Sequence, residues 1–250
     1  MIELNDISKS FGGIKALDSI SYSFSRGRVS SVVGPNGSGK TTLLNVISGF
    51  YTAERGQLWW NNSDESRIQI NRFGVAARSR LGIGRSFQSM RGLDEFTVLE
   101  YILFNSIPWV SDDIFREGLH HLPAGGSLDQ VEALFESGDV GWSRDTRVAH
   151  LSYGQRKILD ILCLIARGSQ VMMLDEPFAG VDAKNLEPLL RILHDCRSDG
   201  NKTLIIVSHE LSLVQDIAED CLLMDQGRLL CSGITAEVMD SDIFREVYLG

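Results

Sequence analysis

Residues 29–42 read VSSVVGPNGSGKTT: a short strand-forming run, a glycine-rich turn, then a lysine and two threonines opening an apolar-periodic segment through Leu44 and Ile47. Gly34, Pro35, Asn36, Gly37, Ser38, Gly39, Lys40, Thr41 and Thr42 fit the pattern G-x-x-x-x-G-K-[ST], with a strand before and a helix after. The glycines let the backbone curl until successive N–H groups face one concavity, and the helix starting there adds the positive end of its dipole. That is a cradle for phosphate. Lys40 is expected to reach the β- and γ-phosphates of a nucleotide, and Thr41 to ligate Mg²⁺.

The surrounding chain reads as an α/β domain. IEL, ISYSF and VSSVV are short strands, with turns at Gly12-Gly13 and Arg26-Gly27. QLWW (57–60) is another strand, and LGIGRSF (81–87) leads into a loop at Gln88. Residues 90–150 change character, with helical stretches over 97–106 and 129–137 separated by the loop HHLPAGGSLDQ. They read as a helical insertion. The α/β rhythm then returns: helix 154–167, strand 171–174, helix 186–197, strand 203–207, helix 211–217, strand 221–224 and a hairpin near Gly227. VMML and TLIIV are continuous apolar runs, as in parallel strands covered on both faces. Strands alternating with helices argue for a mostly parallel sheet. With Asn185 as cap, Pro188 falls in the first turn of its helix, where no hydrogen bond is lost.

A second part of the site is expected on a neighbouring strand. In VMMLDE, Asp175 emerges at the strand's carboxyl end, where α/β sheets place ligands. It is a candidate to hold Mg²⁺ through water, and Glu176 to polarise a water aimed at the γ-phosphate. Gln88 and His209 also stand at strand ends. His120, His121, His150 and His194 read as solvated or packed. Leu151, Ser152, Tyr153, Gly154 and Gln155 (LSYGQ) open a largely apolar helix, and the small residues Ser152 and Gly154 are expected to leave N–H groups open to an anion. One chain thus carries two phosphate-facing loops.

Composition excludes other classes. The net charge is −9, which argues against wrapping nucleic acid. Cys163, Cys196, Cys221 and Cys231 show no C-x-x-C spacing and read as buried, reduced thiols. The N-terminus has no signal pattern. No run reaches the ~18 apolar residues of a membrane span, and the richest, residues 158–166, is too short and contains Asp160. The chain is expected to be soluble, or to meet a membrane only through a partner.

GPNGSGKTT, Gln88, LSYGQ, VMMLDE, the AGVD of 179–182 and His209, in that order, resemble the ATPase subunit of an ATP-binding cassette (ABC) transporter. The resemblance covers essentially the whole chain, and LSYGQ about twenty residues before LDE makes it specific. It implies a single phosphate-loop NTPase domain of the ABC ATPase type over 1–250: a mostly parallel sheet core, an antiparallel β part and a helical subdomain over about 90–165. It implies ATP and Mg²⁺ as ligands, and head-to-tail pairing with a second ATPase subunit, identical or related, so that LSYGQ of one closes over ATP in the cradle of the other. Glu176, His209 and Gln88 are then the catalytic candidates. Phe11 would stack on adenine, Asp182 would bridge the subunits, and Thr41, Gln88 and Asp175 would attend the metal. Tyr153 departs from the glycine common in the family.

FGGIKAL (11–17), GIGRSFQ (82–88), FTVLE (96–100) and EVYLG (246–250) look like importers of branched-chain or other hydrophobic amino acids, or of urea and amides. EPFAGVD (176–182) is similar instead to the ATPase of the lipopolysaccharide exporter. The importer resemblance implies transmembrane permease subunits, a solute-binding protein, and a place at the cytoplasmic face of the cell membrane. Soluble ABC proteins of DNA or ribosomes usually carry two cassettes or a long coiled coil, and this chain has neither. A small-molecule kinase or GTPase would not need LSYGQ.

Overall fold

The structure, a computed structural model, describes residues 2–61, 66–86, 93–106, 127–136 and 140–249. An antiparallel sheet is built from β1 (Ile2–Phe11), β2 (Ile14–Phe24), β4 (Arg55–Asn61) and β5 (Arg67–Gln69) in the order β2-β1-β4-β5. A second sheet holds β3 (Val29–Val33), β6 (Ile83–Arg85), β7 (Val171–Asp175), β8 (Thr203–Val207), β9 (Asp220–Asp225) and β10 (Arg228–Ile234). Its order is β10-β9-β3-β8-β7-β6, parallel except for the β9–β10 hairpin. The expected mostly parallel core with an antiparallel part is present.

Alternating side chains explain the unbroken apolar runs. On one face of the six-stranded sheet, Val29, Val33, Met172, Leu174, Leu204, Ile206 and Leu223 join a core shared with the helices. On the other, Val32, Val171, Met173, Ile205, Val207, Leu222 and Met224 join a core shared with the antiparallel sheet and with α1 (Lys40–Ser48). β3, β7, β8 and β9 are buried on both sides, which favours apolar residues along them, whereas the edge strand β10 alternates exposed and half-buried positions.

The remaining helices are α2 (Val75–Arg80), α3 (Val98–Ser106), α4 (Ser127–Glu136), α5 (Tyr153–Ala166), α6 (Ala183–Ser198), α7 (Leu211–Ile217), α8 (Thr235–Met239) and α9 (Asp242–Leu249). α3 and α4 both pack on α5. No helix among the described residues is long and apolar enough to cross a membrane. Cys163, Cys196 and Cys221 are buried and Cys231 is half-buried, all as free thiols.

Several local expectations need correction. β1 and β2 run well beyond IEL and ISYSF, because they pair with each other through register shifts down to the turn at Gly12-Gly13. β5, α2, α8 and α9 were not expected at all. α6 starts three residues earlier than the sequence reading: Asp182, not Asn185, is its N-cap, and the Asp182 carboxylate accepts from the Asn185 N–H at 3.0 Å. Pro188 therefore lies inside the helix.

α2 carries an arginine that nothing in the sequence singled out. Arg78 is 1% exposed and donates to the carbonyls of Val46, Ile47, Ile70, Asn71 and Phe73. Val46 and Ile47 lie in the last turn of α1, so a cation sits where that helix's dipole is negative. Burial pushes the guanidinium down to about 10, yet its carbonyl shell fixes the far end of the helix that begins at the phosphate loop.

Candidate nucleotide site

The loop from Gly34 to Gly39 joins β3 to α1. Gly39 is the N-cap of α1 at φ +102°, and a Cβ there would lie 2.4 Å from the Ala16 carbonyl oxygen of β2. Only glycine fits, and α1 begins with no side chain capping its N–H groups. Those donors are left for an anion. Lys40 is buried, and its Nζ donates to the carbonyls of Gly34 at 2.8 Å and Pro35 at 2.9 Å. Burial lowers the ammonium's pKa, and the carboxylates of Glu176 and Asp175 pull it back up. The cation therefore sits within the field of both. Thr41 is exposed and Thr42 half-buried on the first turn of α1.

Asp175 and Glu176 stand at the end of β7, as expected. Asp175 is 3% exposed, and its Oδ2 is paired at 2.7 Å with Arg85 at the end of β6. The other side of that guanidinium donates to the Asn45 side chain of α1. Arg85 was within GIGRSFQ but had been given no role. A buried carboxylate needs such a partner, because an unpaired charge would cost several kcal/mol. Oδ1 of Asp175 has no hydrogen bond among the described residues. None of those residues forms a cluster of three or more His, Cys, Asp or Glu that could hold a metal. That donor set fits Mg²⁺, which takes one or two carboxylates and fills its shell with water and phosphate oxygens.

Glu176 adopts φ +50°, a left-handed conformation that a non-glycine residue rarely takes. Its N–H is held by the Val207 carbonyl at 2.8 Å. The carboxylate meets the His209 backbone N–H at 3.3 Å and the His209 Nε2 at 3.3 Å. Burial raises the Glu176 pKa, opposed first by His209 and its N–H; Asp175 raises it further and Lys40 lowers it. Lys157 of α5 donates to the Glu176 carbonyl at 3.0 Å. His209 is exposed, whereas His194 is exposed on α6 and His150 ends a short 3-10 turn.

The LSYGQ segment is built differently from the sequence reading. Ser152 caps α5 through a reciprocal box: its Oγ accepts from the Gln155 N–H, and the Gln155 side chain accepts from the Ser152 N–H at 2.8 Å. The open donors are therefore the N–H groups of Tyr153 and Gly154 alone. Asn185 donates to Asp182 at 2.8 and 3.0 Å and reaches the Ser152 Oγ at 3.5 Å. A Cβ on Gly154 would lie 3.1 Å from Asn185. Tyr153 is 54% exposed and lies against Gly180, where a Cβ would come within 3.1 Å of its ring. Leu151 is buried. LSYGQ and AGVD thus form one surface. Among the described residues no hydrogen bond or ion pair joins 151–155 to 34–42.

Phe11 is 43% exposed at the end of β1, with Tyr51 edge-on at 5.0 Å and the Lys9 ammonium 5.2 Å above its ring. Tyr51 was not foreseen beside it. Gln88 lies outside the described residues, as do His120, His121 and Met90.

The arrangement offers backbone donors and a cation for phosphate, two carboxylates and an imidazole beside them, and a flat aromatic edge. It defines a phosphate-loop nucleotide-binding protein. The family model described as ABC transporter matches residues 17–179, and the chain belongs to that family as an ATP-binding subunit. It is similar to a probable branched-chain amino acid transport ATP-binding protein LivG of Archaeoglobus fulgidus, 29% identical and covering 100% of this chain and 95% of the relative. The high-affinity branched-chain amino acid transport ATP-binding protein LivG of Salmonella typhimurium is 27% identical, with 100% and 98% covered. Among solved structures, a nucleotide-free ATP-binding cassette from an ABC transporter superposes with TM-score 0.83 at 27% identity, covering 100% of this chain and 99% of that one. The cassette MJ1267 in its ADP conformation gives 0.82 at 29%, covering 100% and 98%.

Proposed function

We propose that this chain hydrolyses ATP at a site completed by a second ATPase subunit, and that closing and opening of the pair drives a permease importing branched-chain or other hydrophobic amino acids. The observation that carries the hydrolytic reading is the Glu176–His209 contact at the ends of β7 and β8, within the field of Lys40. The solute class rests on full-length similarity to the two LivG proteins. On this reading the chain is one cassette with a helical subdomain over about 90–165, held at the cytoplasmic face of the membrane by its permease. A solute-binding protein would serve the complete system.

In the proposed cycle Lys40 leaves the carbonyls of Gly34 and Pro35 for the β- and γ-phosphates, while Phe11 stacks on adenine. Thr41, Asp175 and Gln88 would hold Mg²⁺, which supplies neutralisation of phosphate charge. Glu176 accepts hydrogen from a water near the γ-phosphate, and His209 fixes the orientation of its carboxylate. Ser152 and the N–H of Gly154 from the partner copy close over the γ-phosphate, with each Asp182 near the dimer axis. Most of the rate enhancement comes from positioning and charge stabilisation. LSYGQ supports a separate role because its own chain gives it no hydrogen bond to its own cradle.

Glu176→Gln keeps the shape of the side chain and removes its basicity. Binding of MgATP should stay within about threefold, while turnover falls by about 10²–10⁴, the usual contribution of a positioned base. A Gln variant that turns over like the natural chain removes Glu176 from the chemistry.

A further inference from the structure

The terminal EVYLG was a family-like motif without a task, and the structure gives it one. α9 places Tyr248 against the back of the phosphate loop, where its hydroxyl accepts the Gly34 N–H at 2.8 Å across 214 residues of sequence. Phe244, 8% exposed, stacks on the Tyr248 ring at 4.6 Å and anchors it in the helix-side core. Gly34 itself has no room for a side chain. It sits at φ +149°, and a Cβ there would be 2.0 Å from the Met224 carbonyl oxygen and 2.9 Å from Ser38 Oγ. Its two peptide groups are gripped by different partners: the N–H by Tyr248, the carbonyl by the Lys40 ammonium. The hydroxyl also lies close enough to feel the charge of Glu176.

We propose that Tyr248 is a positioning residue for nucleotide binding: its hydroxyl fixes the first residue of the phosphate loop, so that the loop keeps its curvature when Lys40 turns from the Gly34 and Pro35 carbonyls to the phosphates. This rests on the nucleotide reading above. Without nucleotide, Lys40 and Tyr248 share the restraint of Gly34. With nucleotide, the carbonyl side loses its ammonium, and the hydroxyl is the side-chain contact that remains on Gly34. The last helix of the chain thereby contributes to ATP affinity without touching ATP.

The test uses the full chain with Tyr248→Phe and Tyr248→Leu. Displacement of a fluorescent ATP analogue by MgATP reads affinity, steady-state hydrolysis reads KM and kcat, and amide hydrogen exchange of a peptide covering residues 33–40 reads the loop. Phe keeps the ring and its stack on Phe244 and loses only the hydroxyl. The expected result is MgATP binding about two- to fivefold weaker, because the hydrogen bond is present with and without nucleotide and only the extra worth it gains when Lys40 leaves is lost, a matching rise in KM, kcat within twofold, and faster exchange over 33–40, in protein that is fully folded at the assay temperature. Leu should weaken binding at least as much. A purely structural role predicts a lower unfolding temperature for Leu and natural MgATP affinity for folded Phe; natural affinity in the Phe variant overturns the inference. If the natural chain binds no MgATP, the nucleotide reading falls and the inference with it. If the natural chain binds and Phe binds equally well, the inference alone falls.

Discussion

At the scale of single residues, this chain holds charges where an apolar side chain would be cheaper, and each does something specific. Arg78 closes the carbonyl end of α1, Arg85 neutralises Asp175, and Lys40 fills the loop it serves. Asp160 is the exception. It lies on α5, within the electrostatic reach of Lys157 on its own helix and of Tyr101 of α3; burial pushes its carboxyl up to about 7, and Lys157 only partly offsets this. An unfolded aspartate titrates near 3.9. Between roughly pH 4 and pH 7 the folded chain therefore binds the extra proton, so this group's contribution to stability is fully present at low pH and is lost as pH rises through 7. The loss is on the order of 2–4 kcal/mol from the shift alone. The advantage of Asp160→Asn over the natural chain should be small at pH 4 and largest at pH 8, as read by urea unfolding at the two pH values. Equal stability differences at both would remove Asp160 as the titrating group.

At the scale of elements, α6 carries a defect. With Asp182 as cap, Pro188 lies within the helix, has no N–H for the Lys184 carbonyl four residues back, and crowds it. Pro188→Ala restores that bond and should raise stability by about 1 kcal/mol, less than the full interior penalty because the unfolded chain regains entropy. The measurement is a denaturant midpoint; a midpoint unchanged or lowered would mean that the proline's packing outweighs the bond. The same helix marks how far sequence reading reaches. The phosphate loop was legible because its strand, glycines and lysine are contiguous, and Asp175, Glu176 and His209 because each follows an apolar strand directly. The cap of α6 was misread because both Asp182 and Asn185 are good capping residues, and the choice between them is made by the Asn185 side chain, which ties Asp182 to Ser152. Arg85, Arg78, Tyr51 and Tyr248 were given no role, since Arg85, Tyr248 and the bonds of Arg78 to α1 act on residues 31 to 214 positions away and Tyr51 acts through a ring contact. α8 and α9 went unread because TAEVM is short and DIFREVYL is only eight residues long, although Ser241 caps it by accepting from the Phe244 N–H at 3.2 Å.

At the scale of the whole molecule, two surfaces carry phosphate-binding features, and among the described residues no hydrogen bond or ion pair joins residues 151–155 to 34–42. One holds the cradle, Glu176 and His209. The other joins LSYGQ to AGVD through Asn185, with Tyr153 lying over Gly180. Lys157 connects the two sides by donating from the LSYGQ helix to the Glu176 carbonyl. On the proposed pairing, a second copy turned head to tail would bring the unused donors of Tyr153 and Gly154 to a nucleotide and give the arrangement a physical purpose. The bound triphosphate would then complete the interface, which would weaken when the γ-phosphate leaves. Sedimentation of the Glu176→Gln chain with and without MgATP tests this most directly. The account predicts a monomer alone, a dimer at saturating MgATP, and return to monomer with ADP. A natural chain that hydrolyses ATP at its full rate while sedimenting only as a monomer would contradict it.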